Sequence, residues 1–556
     1  MPKDSVTSFI KSHAVNYNYT ASWTDDGVKA LRTYLGNVSR GQPKVYTAPF
    51  AKGQSMEKVL NDWMGTLVSL ETRWPTLVSY EEDQAKKVGP MSVQLPLEER
   101  MDDIRHYYDD ILLSSTPIDD GAISYASLEF QPIAGLRLRG QAATLDNMKV
   151  STNSGNPWFT KKRDVTQEAL NSEVQLSEWK YGPSVSGCLL NMPIHDWWMT
   201  AVIGWRGQEG GPSEEDTKQR VVWMFPFSVN LCELQLYQPL IEAAQKRNLV
   251  PAWVSMESVD AEVTQLFDTK RPEDLIVCTD FSRFDQHFNK HLQGAAKTIL
   301  TRLMTWNAQS HDWLERVFPI KYAIPLTWKC SRYGEDYHCT EFRGYHGMAS
   351  GSGGTNVDET LAHRAMQWEA ALKQGEMLNP HSMCLGDDGI LTYPYITVDE
   401  VVAAYSAHGQ ECNRDKQYAS AEDCVYLRRW HHNEYRVGGV CVGVYPTTRA
   451  LGRLRYLERF MDPEYWSAEL VALRQLSIIE NCKWHPLFHE FIEFCMERDR
   501  YRLGIDIPGF MDNISKLANE ATGYMQDFLG YTKTMQGASP EGIADWEVVK
   551  YLKSKS

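Results

Sequence analysis

No Cys-x-x-Cys pair occurs among the 11 cysteines of this chain. An odd count without that pairing reads as reduced thiols, the state kept in a cytoplasmic-type compartment. A long apolar run is also missing. The N-terminal "MPKDSVTSFIKSH" lacks the apolar core of a signal peptide. The nearest approach to a membrane span, Cys188 to Trp205, contains Pro193, His195 and Asp196. A buried helix is therefore expected there, and no membrane partner. No internal repeat, low-complexity tract or long Pro/Ser linker is present, so the lobes are expected to be interleaved rather than strung out. Positive charge is in deficit: 57 Lys and Arg against 72 Asp and Glu give a net charge of -15. Such a chain does not coat nucleic acid or anionic membrane indiscriminately. An enclosed basic channel in an acidic shell is still compatible with that sum.

What is present describes a large folded body. A chain of 556 residues predicts two to four domains or one multi-lobed unit. The 18 Trp and 27 Tyr argue for an extensive aromatic core and against disorder. Residues 1 to about 100 read as mixed and mostly helical, and helical periodicity dominates after about 450, as in "PEYWSAELVALRQLSIIENC". Between them, "DLIVCTDF" reads as a short strand ending at Asp280. "TNVDETLAHRAMQWEAALKQG" places Leu361, Ala365, Trp368 and Leu372 on one helical stripe that ends near Gly375. "TVDEVVAAYSAHG" opens with Thr397 and Glu400 in capping-box spacing and stops at Gly409. Strand, Gly-rich loop with helix, hairpin and helix in that order predict an α+β core, a sheet backed by helices.

The stretch "SMCLGDDGILTY" sets Asp387 and Asp388 side by side between apolar runs. Alone it reads as a hairpin turn whose acids face water. A second acidic group, Asp280 and Asp285 in "DFSRFD", ends the predicted strand. If the two strands pair, Asp280 meets Asp387, and ionised carboxylates so close need a hard cation with oxygen ligands. Two such ions can activate a 3′-hydroxyl and stabilise a pyrophosphate leaving group. Met348 to Thr360, "MASGSGGTNVDET", carries glycines at 351, 353 and 354 but no Gly-Lys-Ser/Thr, so it is not a P-loop. In "KQRVVWMFP", Lys218 and Arg220 project from one face of an extended segment and can clamp a triphosphate. "TNSGNPWFTKKR" holds a Gly-x-Pro turn followed by Lys161, Lys162 and Arg163, a phosphate-tracking edge or a solvated loop.

The ordered set D-x4-D, S-G-x3-T, G-D-D resembles the palm of viral RNA-dependent RNA polymerases. The wording "DFSRFDQHF", "SGSGGTNVDET" and "CLGDDG" is most similar to the picobirnavirus enzymes, with partitivirus polymerases as relatives. The resemblance covers about Thr152 to Arg429 and implies a role for each matching residue. Asp280 and Asp387 would bind two catalytic ions, Mg2+ or Mn2+, with Asp388 contributing less directly. Asp285 would sense the ribose 2′-hydroxyl, helped by Ser350 and Thr355. Where relatives often carry Asn, this chain has Glu359, with Asn356 and Asp358 nearby; the residues alone leave open which of the three completes the sugar check. Arg220 and Lys218 would hold the triphosphate, with Arg206 assisting. Thr152, Ser154, Gly155 and Pro157 would guide the template, Lys416 would act as general acid toward pyrophosphate, and Arg428 and Arg429 would grip the primer end.

The resemblance further implies a closed right hand with an antiparallel palm sheet. Its expected parts are an N-terminal bridge (1–95), fingers (96–235 and 290–345), palm (236–289 and 346–430) and a thumb with the C-terminal region (431–556). It implies RNA template, product duplex and NTPs as partners, with the viral capsid protein, in a virion interior or host cytoplasm. The activity implied is replication and transcription of a segmented double-stranded RNA genome, initiated without a primer. Reverse transcriptase-like polymerase, metal-dependent nuclease and non-catalytic RNA-binding capsid component are the competing readings. Cys482, His485 and His489 have ligand-like spacing but lack a fourth ligand. Arg449, Arg453, Arg455 and Arg459 are expected either at duplex phosphates or on a solvated helix face. Lys533 to Asp545 is the candidate for a C-terminal element that fills the cavity before elongation.

Overall fold

The structure is a computed structural model that describes residues 3–19, 25–171, 175–180, 186–191, 200–334, 336–522 and 540–556. Its 13 strands are β1 (Ala14–Tyr19), β2 (Gln175–Lys180), β3 (Ser186–Asn191), β4 (Ala201–Gln208), β5 (Lys218–Met224), β6 (Ile276–Thr279), β7 (Leu326–Tyr333), β8 (Asp336–Phe342), β9 (Met383–Leu385), β10 (Asp388–Leu391), β11 (Tyr418–Ser420), β12 (Asp423–Tyr426) and β13 (Arg429–His432).

Two sheets position the functional groups. A five-stranded sheet has the order β1-β8-β7-β4-β5, and a four-stranded sheet has the order β11-β6-β10-β9. The second is antiparallel throughout, with Gly389 opposite Thr279 and Tyr418 opposite Cys278. Ile276 to Thr279 are all buried, as expected of an apolar, β-branched strand covered on both faces. The helices Thr355–Leu372 and Val398–Ser406 pack with this sheet and with Phe284, Phe288 and Leu292 in the largest apolar cluster. The second of these helices starts where the sequence predicts: Thr397 Oγ1 accepts from the Glu400 N–H at 3.3 Å.

A second cluster joins N-terminal Trp63, Leu67 and Leu77 to C-terminal Leu451, Leu473, Phe491 and Val549. Polar ties reinforce that union. The buried Glu81 carboxylate accepts from the Thr447 and Thr448 N–H groups at 2.6 and 2.9 Å, capping the Thr447–Arg455 helix from a distant part of the chain. The segment around Glu81 and the helix at Thr447 are therefore joined, although more than 350 residues apart in sequence.

Three expectations are corrected. Cys188 to Trp205 is not a helix: β3 and β4 occupy its described ends, while residues 192–199 lie outside the described residues. Pro193 divides the stretch into two runs short enough for strands, and Ala201 to Gly204 are buried as β4. The thiols are not all reduced, since Cys330 and Cys339 form a disulfide where the β7–β8 register sets them opposite each other. Cys232, Cys278, Cys384, Cys412, Cys424, Cys441, Cys482 and Cys495 are free and buried. Finally, the Thr355–Leu372 helix is not a one-sided stripe but is buried from Val357 to Ala371 on every face.

Candidate active site

The hairpin β9–β10 carries Asp387 and Asp388 at its turn, held from below by the Thr355–Leu372 helix. Gly386 takes φ +59, a left-handed conformation that favours glycine. Its N–H donates to Thr360 Oγ1 at 2.9 Å, and its carbonyl accepts from His363 Nδ1 at 2.8 Å. Both backbone groups of the turn are thus fixed by side chains one helical turn apart. On the neighbouring strand, Asp280 follows Thr279. Its N–H donates to Gln417 Oε1 and its carbonyl accepts from Gln417 Nε2, each at 2.8 Å, which leaves the carboxylate exposed.

The acids repel one another through this geometry. Asp387 is open to water yet set into a concave wall, and desolvation there, followed by the charges of Asp285 and Asp280, raises its carboxyl above the ordinary range. Asp388 turns aside. Its Oδ2 accepts from the Leu427 N–H at 2.9 Å, and burial, then Asp387, pushes its carboxyl up to about 7.

A second group flanks the first. Buried Asp285 accepts from Arg220 Nη2 at 2.7 Å, and that carboxylate holds the guanidinium well above its ordinary range. Lys218 shares the Arg220 face of β5, exposed. Glu359 lies against Asp285, and burial followed by that charge raises its carboxyl strongly. The three residues named for the ribose contact stand in different surroundings. Asn356 accepts from Trp253 Nε1 at 2.7 Å. Asp358 is fully buried, bound by Tyr237 (2.8 Å), Tyr322 (2.6 Å) and Lys321 (3.0 Å). Of the three, Glu359 is the one that meets Asp285.

Other expected contributors stand differently. Arg206 lies opposite Arg220 in the β4–β5 register, but its Nε donates to Glu458 at 3.1 Å. The Ser350 hydroxyl donates to the Val221 carbonyl at 3.1 Å and that of Thr355 to the Ser352 carbonyl at 3.2 Å, so both serve loop geometry here. Lys416 is exposed beside Gln417. Arg428 is exposed at the turn of the β12–β13 hairpin near Asp388, whereas Arg429 is buried with Nη1 on the Asn481 carbonyl at 3.3 Å. Arg429 thus points into the protein, as do Trp430 and His431 after it.

In the 152–163 loop, Thr152, Lys161 and Arg163 are exposed. Ser154, Gly155 and Pro157 are buried, with Ser154 Oγ accepting from the Thr160 N–H at 3.1 Å, so these shape the loop. Lys162 Nζ donates to Thr152 Oγ1 at 3.0 Å over the Phe227 ring. The arginines of the Thr447–Arg455 helix meet protein instead of phosphate: Arg449 and Arg453 pair with Glu209 at 2.7 and 3.3 Å, and Arg455 binds the Ala48 and Phe50 carbonyls. His485 faces Glu81 at 3.3 Å. Most of Lys533 to Asp545 lies outside the described residues. Gln417, Thr360 and His363 carried no distinct sequence signal; only adjacency to Lys416 and an i, i+3 spacing hinted at them.

The donor set suits a hard divalent cation. Asp280 and Asp387 offer carboxylate oxygens only, and their mutual repulsion is relieved by positive charge. Among the described residues no three His, Cys, Asp or Glu side chains converge into a closed cage. Asp280 and Asp387 would supply carboxylate oxygens to such an ion, water and substrate phosphates completing its shell.

Residues 211–492 match the family described as viral RNA-dependent RNA polymerase. The chain is 53% identical over 532 residues to a "Potential RNA-dependent RNA polymerase" of a human picobirnavirus (strain Human/Thailand/Hy005102/-), covering 94% of this chain and 96% of that one. Two crystal structures are similar. One is the RNA-dependent RNA polymerase of a human picobirnavirus, with TM-score 0.86, 53% identity and coverage of 95% and 97% of the two chains. The other is its insertion loop deletion mutant, with TM-score 0.85, 52% identity and the same coverage. The acids on adjoining strands, the hairpin that presents them and a likeness running nearly the whole length lead to one conclusion: this chain belongs to the viral RNA-dependent RNA polymerases, nucleotidyltransferases of right-hand fold, and within them to the picobirnavirus enzymes.

Proposed function

We propose that this polymerase joins nucleotides at a site centred on Asp280 and Asp387, which would hold two divalent cations, Mg2+ or Mn2+, with Asp388 beside them. When bound, those ions supply Lewis-acid stabilisation to the attacking 3′-oxygen and the departing pyrophosphate. The chain's residues do the rest. Arg220 and Lys218 bind the triphosphate from one face of β5, Arg220 being already oriented by Asp285. Asp285 and Glu359 meet the ribose 2′-hydroxyl, Glu359 filling the place where relatives often carry Asn. Exposed Lys416 gives a proton to pyrophosphate, Arg428 steadies the primer end, and Thr152, Lys161 and Arg163 track the template.

The observation that carries this reading is the β6–β10 pairing, with Gly389 opposite Thr279, which brings acids 107 residues apart to one edge. The four-stranded sheet belongs to a palm of residues 236–289 and 346–430. Fingers take 96–235 and 290–345, a thumb with the C-terminal region takes 431–556, and residues 1–95 bridge them. We assign the enzyme to replication and transcription of a segmented double-stranded RNA genome, with primer-independent initiation, inside a virion in the host cytoplasm and against the capsid protein. RNA template, product duplex and NTPs are its partners.

The test is incorporation of labelled NTP on single- and double-stranded RNA with Mg2+ or Mn2+. Wild type should extend both with either ion, and Asp387→Asn should lose at least about a hundredfold, the scale of about 3 kcal/mol in barrier. An Asp387→Asn enzyme as active as wild type would remove the hairpin acids from the chemistry.

A further inference from the structure

Beneath the Gly-rich loop lies a buried charged platform that the proposed reaction does not use. Glu233, in the Phe227–Lys246 helix, is fully buried, as are Lys321 and Asp358. Lys321 Nζ is 3.0 Å from Asp358 Oδ2 and donates to the Phe318 carbonyl at 2.8 Å. Glu233 turns the other way, to the loop. Its carboxylate accepts from the Ser352 hydroxyl, from the Gly353 N–H at 3.2 Å and from Asn230 Nδ2 at 3.2 Å. Asn230 Nδ2 also donates to the Gly351 carbonyl at 3.3 Å. One turn of helix thus holds three consecutive loop residues.

The opposite side of the loop rests on β5. The Ser350 hydroxyl donates to Val221, and a Cβ on Gly351 would lie 1.4 Å from the Trp223 carbonyl oxygen. Val221 directly follows Arg220, the residue paired with Asp285. Asp358, at the far end of the platform, directly precedes Glu359. A displacement of the loop is therefore transmitted to both groups that meet the nucleotide. A buried carboxylate is costly unless paired and hydrogen-bonded, and here two of its three bonds come from the loop.

We propose that Glu233 is a positioning residue that fixes the Gly351–Gly353 loop and, through it, the affinity of the site for the incoming nucleotide. This rests on the assignment of Arg220, Asp285 and Glu359 to nucleotide binding. Loosening the loop then weakens nucleotide binding while Asp280 and the Asp387 turn, whose backbone is held by Gln417, Thr360 and His363, keep their places.

The experiment is single-nucleotide addition on a primed RNA template by full-length wild type, Glu233→Gln, Ser352→Ala and the double variant, with thermal melts of each. Hydrogen bonds to charged groups scale the expectation: KM for NTP rises roughly three- to tenfold in each single variant, with kcat within about twofold. The double variant should be no worse than the poorer single one, because both remove the same bond. A Glu233→Gln protein that melts earlier but keeps the wild-type KM has lost only fold stability, and that result overturns the proposal. If Glu233→Gln does not fold, Ser352→Ala decides, since it leaves Glu233 paired; an unchanged KM there overturns the proposal equally. Asp285→Asn run alongside separates the two levels. If it too leaves KM and NTP/dNTP preference untouched, the nucleotide assignment falls with the proposal; if it alone has an effect, only the role of Glu233 falls.

Discussion

Replacing Asp285 by Asn changes charge while nearly conserving shape, so its effect isolates the electrostatic part of sugar recognition. Asp285 is buried, its Oδ2 is 2.7 Å from Arg220 Nη2, and its charge acts on both Glu359 and Asp387. The variant keeps an amide oxygen for Arg220 but gives up the charged acceptor. A hydrogen bond to a charged group contributes about 1.5–3 kcal/mol, against about 1 for a neutral one. If that bond reaches the 2′-hydroxyl, the difference of about 0.5–2 kcal/mol lowers kcat/KM for NTP roughly two- to thirtyfold, while dNTP, lacking the hydroxyl, barely changes. The assay is single-nucleotide extension of one primed RNA template with matched NTP and dNTP. Asn at 285 should also relieve the repulsion on Glu359 and lower its carboxyl toward the ordinary range. An NTP/dNTP preference unchanged within about twofold would remove Asp285 from sugar selection, whatever happens to total activity.

Packing and charge predict three further outcomes. Gly389→Ala would set a Cβ 2.7 Å from His363 Cε1 and 3.2 Å from Thr279 Oγ1; overpacking of this kind costs about 1–3 kcal/mol, and denaturant titration should show that loss together with a fall in kcat. Glu209→Ala strips Arg449, which is 9% exposed, of its partner at 2.7 Å; a buried charge left uncompensated costs about 3 kcal/mol, so an earlier melt and shorter RNA products are expected. Burial pushes Glu480 up to about 7 in the folded protein. Between about 4.5 and 7 the folded state holds the proton that the unfolded state has released, so stability falls as pH rises through that window, by about 3 kcal/mol. Urea titrations should find this slope in wild type and a shallower one in Glu480→Gln.

The strand at 276–279, the hairpin at 383–391 and the cap at Thr397 were legible because each is local: apolar β-formers, an Asp-Gly turn, a hydroxyl three residues before an acid. The chemistry-bearing acids were legible because like charges set between apolar runs demand an explanation. Long-range partnership was not. Nothing near Arg449 in sequence announces Glu209, and nothing near Thr447 announces Glu81. Arg429 looked like a companion of Arg428, but Arg428 sits in the turn at φ +62 and is exposed, whereas Arg429 opens the buried strand β13. Cys188 to Trp205 failed for a related reason, since apolar runs without a clear period do not separate buried helix from strand.

The Thr355–Leu372 helix shows why the polar half of that pattern resists reading. Glu359, Thr360, His363, Arg364 and Gln367 interrupt its apolar residues, and on a surface helix they would mark the wet side. Each instead reaches a neighbour inside the protein. Thr360 and His363 fix Gly386; Gln367 Nε2 donates to the Met383 carbonyl at 2.9 Å, and Arg364 Nη1 to the Ser382 carbonyl at 2.6 Å. The last two bonds run along the segment that ends in the Asp387–Asp388 turn. Apolar packing of equal area would stabilise the fold at least as well, but it is non-directional and would let the hairpin slide. Side chains that bond to specific backbone atoms set both its register and its height. The polar interior of this helix is thus the price of placing carboxylates accurately, and it explains why a helix that looks half-solvated in sequence is buried from Val357 to Ala371.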